Sequence, residues 1–131
     1  MDTSERIAFL RDAYRLFNDR EIDALLQMMI DDVEWPDVAN SAALHGKQAI
    51  RSYWHAQFAA ADPHVDPLDF IEAGDDLVVA VDQRVADLEG RPLAVPAVVF
   101  HRYTFDGDLV RRMVLFTDRD AAITELDGPC P

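Results

Sequence analysis

Two side chains in this 131-residue chain have types suited to moving protons. Asp37 follows a Trp-Pro step in "DDVEWPDVANSAALHG" (31–46), where a pocket needing a base at a strand end would account for it. His101 stands in "AVVFHRYTF" on the strand face it shares with Val99 and Tyr103. A neutral imidazole can donate to a developing enolate and a cationic one can protonate a leaving oxygen; an ordinary pKa of about 6.5 permits both. Each has a plainer reading beside it. Asp37 could be solvated or cap backbone groups of "VANSA", and His101 could be a satisfied core residue. Arg112 would need a carboxylate such as Asp82 or Asp118 if buried; otherwise Arg111 and Arg112 are solvated at a strand end.

Other chemistries lack their residues. His45, His55 and His64 have no acid at metal-ligand spacing, Ser4, Ser41 and Ser52 have no visible His and Asp partners, and no Gly-rich phosphate loop occurs. No cofactor and no metal are expected. The only cysteine, Cys130, has no partner for an internal disulfide and reads as a free thiol.

A formal charge of −13, spread over every segment, repels phosphate backbones and argues against nucleic acid. "MDTSE" lacks the basic start of a signal peptide, and no apolar run is long enough to span a membrane. A cytoplasmic protein without membrane attachment is the expectation. Half the residues are apolar, enough for one domain with a real core.

The elements that must position these groups follow from periodicity. Ile7, Leu10, Tyr14 and Phe17 mark an amphipathic helix, with Thr3 or Ser4 as its cap. Ile22, Leu25, Leu26 and Met29 mark a second, ending near Asp31, and Val33 and Trp35 suggest a brief strand. Ala49, Ile50, Tyr53, Trp54 and Phe58 make the stripe of a third helix, stopped by Asp62-Pro63. Then the period becomes two. Residues 64–73 form an edge or bulged strand because Pro67 cannot donate to a ladder, and "DLVVAVDQRVADL", "LAVPAVVFHRYTF" and "LVRRMVLFTD" complete an antiparallel meander with a hairpin at Asp106-Gly107. "RDAAITEL" can close it as a short helix.

Helices followed by strands predict an α+β fold. In the last strands Val99, Tyr103 and Phe105 oppose Val98 and Phe100, while Val110, Val114 and Phe116 oppose Leu109, Met113 and Leu115. With both faces apolar, the face away from the helices needs a cover, and a second copy of the sheet is the economical one. The rival is an apolar face left within one monomer.

"AYRLFNDREIDALLQMMIDDVEWPD", "HGKQAIRSYW" and "FHRYTFDGDLVRRMVLFTD" together resemble the NTF2-like superfamily, in its ketosteroid-isomerase and SnoaL-like polyketide-cyclase branch. The resemblance implies an NTF2-like (cystatin-like) conical barrel, three N-terminal helices packed in a curved antiparallel sheet, over a single domain at 1–126 with a tail at 127–131. It also implies a homodimer and a deep pocket for a small hydrophobic molecule. Isomerases, dehydratases, cyclases, epoxide hydrolases and noncatalytic binders share that fold.

By position, the resemblance puts Asp37 at the proton-abstracting aspartate of the isomerases, a family whose tuned pocket is a standard example of such chemistry. Their oxyanion hole pairs a helix-1 tyrosine with a protonated aspartic acid. Here Ala13 takes the tyrosine's place, with Tyr14 one step round the helix and expected to miss that point, and His101 takes the acid's place. The reading is therefore an acid-base pair, Asp37 as base and His101 as acid or oxyanion partner, of isomerase, cyclase or dehydratase type. Tyr14, Phe17, Trp35 and Trp54 are expected to bind substrate, as are Phe58, Tyr103 and Phe116. Strand parity adds Arg112, and with Asp82 and Asp37 it would give the Asp-Arg-Asp set of the NTF2-like epoxide hydrolases. A ligand-binding or dimerisation module without turnover is the alternative from a different class.

Overall fold

In the computed structural model, residues 2–37, 42–93 and 97–124 are described, apart from the Asp37 and Ala42 side chains. The 127–131 tail with Cys130 lies outside them. The first helix, α1 (Thr3–Asn18), is capped by Asp2 rather than by Thr3 or Ser4: the Asp2 carboxylate accepts from the Glu5 backbone N–H and the Glu5 side chain accepts from the Asp2 N–H. Two orphan donors of the first turn are thereby satisfied.

Helix α2 (Ile22–Leu26) stops earlier than its apolar spacing suggests, and Met29 already begins strand β1 (Met29–Asp37). The run Met28-Met29-Ile30 fits either period; pairing decides it, for the Val110 N–H donates to the Met28 carbonyl at 2.9 Å. A short strand, β2 (Ala42–His45), returns antiparallel to β1 before α3 (Lys47–Ala60). Gly46, at φ 88, makes the turn into α3 in a conformation that L side chains rarely adopt.

Four long strands follow: β3 (Asp62–Ala73), β4 (Asp76–Ala86), β5 (Ala97–Asp106) and β6 (Leu109–Phe116), then a short helix, α4 (Arg119–Thr124). The six-stranded sheet runs β2-β1-β6-β5-β4-β3, curved and unclosed. It is mixed rather than wholly antiparallel, because β1 runs parallel to β6. Strand β3 lies at the edge with its register shifting between Pro67 and Asp69, the behaviour expected of a proline that cannot donate.

A bulge in β6 changes the expected parity. Thr104 pairs with Arg112 but Phe105 pairs with Val110, leaving Arg111 as the extra residue. Val110, Met113 and Leu115 therefore face the helices with Val99, Tyr103 and Phe105. Arg112, Val114 and Phe116 turn to the outer face, and Phe116 joins Val78, Phe100 and Ala122 there. Helix α4 thus covers part of the face that the sequence leaves bare. The main core lies between α1, α2, α3 and the inner face, where Leu10, Met29, Val33, Ile50, Trp54 and Val81 are fully buried. Each such side chain contributes about 1.5–3 kcal/mol relative to exposure.

Candidate active site

Helix α1 presents Leu10, Ala13, Tyr14 and Phe17 to a cavity of about 50 Å³. The strands close it with Trp35 and Met29 from β1, Val65 from β3, His101 and Tyr103 from β5, and Val110 from β6, while Leu25 and Met28 complete the wall. A volume of that size holds a few water molecules. Besides the Trp35 indole, its polar side chains among the described residues are Tyr14, His101 and Tyr103.

These form one chain. The Tyr103 hydroxyl donates to the Tyr14 hydroxyl at 2.8 Å, and the Tyr14 hydroxyl lies 2.8 Å from His101 Nδ1. The Tyr14 and His101 rings stack with centroids 5.8 Å apart, and Tyr103 stands edge-on to both. All three residues are buried. Burial alone pushes the His101 imidazole down to about 4, so it is neutral at physiological pH. Burial also raises Tyr14, as does the neighbouring Tyr103 hydroxyl. Tyr103 is raised by burial, against a smaller opposing effect of its bond to Tyr14. The site thus consists of uncharged hydrogen-bonding groups in an apolar shell.

Tyr14, expected among the binding residues though one step round the helix from the isomerase tyrosine's place, lines the cavity, and its hydroxyl meets His101 directly. The one-residue step looks disqualifying only if the axial rotation of α1 is held fixed; burial of Leu10, Tyr14 and Phe17 on one stripe sets that rotation instead. Of the other expected binding residues, Phe17, Trp35 and Tyr103 line the cavity. Trp54 and Phe58 stand behind that wall, edge-on to Phe17, with Trp54 also edge-on to Trp35. Phe116 is on the outer face.

Arg112 is also on that face, with Nε 4.0 Å from Glu34, and Asp82 stands 3.9 Å from the Arg84 Nε. The Asp-Arg-Asp set is therefore not brought to the cavity, because the Arg111 bulge reverses the parity on which it rested. Asp37 is the last residue of β1, its backbone paired with Ala42, and its side chain lies outside the described residues. No carboxylate lines the cavity among the described residues. Sequence reading did not name Leu10, Ala13, Leu25, Met28, Met29, Val65 and Val110 as cavity residues, though the helical stripes held Leu10, Leu25 and Met29.

The fold and this pocket define a class, and the comparison of families agrees: the chain belongs to the SnoaL-like domain family, whose model matches residues 10–113. No curated protein matches the sequence. Among solved structures, TerC, crystallised with polyporic acid, is 26% identical with a TM-score of 0.74, over 93% of this chain and 97% of that one. SalBIII, an epoxide hydrolase/cyclase-like enzyme in pyran ring formation in the polyether salinomycin, superposes with a TM-score of 0.73 at 16% identity, over 91% and 95% of the two chains. RV0760c from Mycobacterium tuberculosis, in complex with estradiol-17β-hemisuccinate, also gives 0.73 at 16% identity, over 88% and 95%. At such identities the last two likenesses concern the fold. No described helix is long and apolar enough to cross a membrane.

Proposed function

We propose that this protein performs cofactor-free acid-base chemistry, of isomerase, cyclase or dehydratase type, on a small hydrophobic carbonyl or polyketide-like compound in the cytoplasm. The observation that carries the reading is the buried Tyr103–Tyr14–His101 chain beside an apolar cavity. Buried polar side chains are tolerated when they satisfy one another, and these three do so at the wall of a cavity. Asp37 is the base: it ends the strand that carries Trp35, a cavity wall. It removes a proton from the carbon next to the carbonyl, and the oxygen that gains charge is held by neutral His101. Returning the proton to a second carbon isomerises the substrate; attack of the enolate on a second carbonyl cyclises it. The ligands of TerC and RV0760c support a small-molecule pocket, and SalBIII supports ring-forming chemistry on this scaffold.

Loss of α-deuterium from enolisable ketones, followed by proton NMR in water, reads the first step whatever comes after it. Turnover is expected with the wild type, with a loss of about 10²-fold or more in Asp37→Asn and a similar loss in His101→Gln. An unchanged rate in Asp37→Asn removes the base assignment. A second reading, ligand binding without turnover, is favoured by the cavity having no described carboxylate; there, ketones bind and no deuterium is lost.

A further inference from the structure

The polarity of the hydroxyl chain limits what the cavity can hold. Of the two senses open to the hydroxyl pair, Tyr14 to Tyr103 would leave the Tyr103 proton without an acceptor among the described residues. Tyr103 therefore donates to Tyr14, and Tyr14 must place its own proton elsewhere. Its other polar neighbour is His101 Nδ1, 2.8 Å away. Were Nδ1 protonated, it too would donate to the Tyr14 oxygen and leave the Tyr14 proton without an acceptor among apolar walls. With Nδ1 bare, every hydroxyl proton is satisfied and the ring proton sits on Nε2. That nitrogen has no hydrogen-bond partner among the described residues.

We propose that Tyr14 and Tyr103 are positioning residues that hold His101 as its Nε2–H tautomer, so that the ring offers a free donor at the cavity and takes an uncharged ligand by a carbonyl-type oxygen. The inference deepens the acid-base reading by naming the class of group that His101 accepts. Ketones, enones and quinones supply such an oxygen on an otherwise apolar body, matching walls built from Leu10, Phe17, Met28, Trp35 and Val110. A carboxylate would bring a full charge to a neutral donor in a desolvated site. Recognition therefore selects against the anion while admitting the neutral carbonyl of the same size.

The tautomer is read from the ring nitrogens of ¹⁵N-labelled protein in long-range proton–nitrogen spectra at pH 7. His101 is assigned among the four histidines by the signal missing in His101→Gln. The wild type and Tyr103→Phe are expected to show protonated Nε2, and Tyr14→Phe a mixture of tautomers, because only Tyr14 touches the ring nitrogen. Acetone and acetate then compare one small body with two head groups. Acetone is expected to shift the His101 Nε2 signal and to bind at least about tenfold more tightly than acetate. Protonated Nδ1 in the wild type overturns the proposal, as does an Nε2 signal unmoved by acetone, or acetate binding equally well. If the tautomer and ketone preference hold in a protein that exchanges no α-deuterium, this inference stands and the acid-base reading falls. If the ring is Nδ1-protonated in a protein that does exchange, the acid-base reading stands and this inference falls.

Discussion

His101 couples the site to the stability of the whole chain. Its imidazole has an ordinary pKa of about 6.5 when unfolded and one of about 4 when buried. Between those values the unfolded chain holds a proton that the native state does not, so acid favours unfolding. The stabilisation from the neutral ring is complete above pH 6.5, is lost progressively as pH falls, and stops changing below about 4. At pH 4.5 the loss amounts to about 2–3 kcal/mol. Urea unfolding at pH 7 and 4.5 checks this against His101→Gln, whose amide oxygen still accepts from Tyr14. Titrating carboxylates affect both proteins alike, so the wild type is expected to lose more stability than the variant by that amount. An equal loss would mean that the ring is not held neutral. His101 itself was legible in the sequence as a lone histidine between apolar neighbours. Its partner Tyr14 was legible as a pocket residue but not as a bond to His101, because alignment by one residue step ignores how burial of a helical stripe rotates the helix.

The elements were legible where period and turn chemistry agreed: α1, α3, the edge strand with Pro67 and the Asp106-Gly107 hairpin. They were not where long-range pairing decides, as at Met29, which fits a helix until β6 claims it, or at Arg111, whose bulge reversed the expected side of Arg112. Arg102 shows the same limit. In sequence it is one more charge on the outer parity of β5; in the fold it is buried and ties α4 to the sheet. Its Nε donates to Asp76 at 2.8 Å, and its terminal nitrogens donate to the carbonyls of Ala122, Ile123 and Ala73 at 3.0, 3.2 and 3.3 Å. Those partners lie 20 or more residues away, beyond any local pattern. Arg102→Met removes the cation and leaves the shielded Asp76 carboxylate uncompensated, which is expected to destabilise the fold by about 3–5 kcal/mol. Hydrogen exchange should show α4 amides losing protection at a lower opening energy than those of β5. A cost under about 1 kcal/mol would show that the pair is no stronger than a surface contact.

The molecule as a whole has an outer sheet face that α4 covers only at one end. Val98 is 48% exposed there, and Val114 and Phe116 are half-buried. The strip runs along β5 and β6, with Asp82 and Arg84 flanking it on β4 and Glu34 and Arg112 on β1 and β6. A two-fold axis along the strip, parallel to the strands, sets β4 of one copy across from β1 of the other. That arrangement is self-complementary, so we expect a homodimer through this face. Formal charges of −13 on each copy oppose it, and salt screens the repulsion, with a Debye length of about 10 Å at 0.1 M. Sedimentation equilibrium is therefore expected to show dimers that tighten as salt rises from low concentration. Val114→Arg places a cation at the centre of the apolar strip, away from the cavity, and should give monomers that still bind ligand. A wild type that stays monomeric at every salt concentration would leave α4 as the only cover this face has among the described residues.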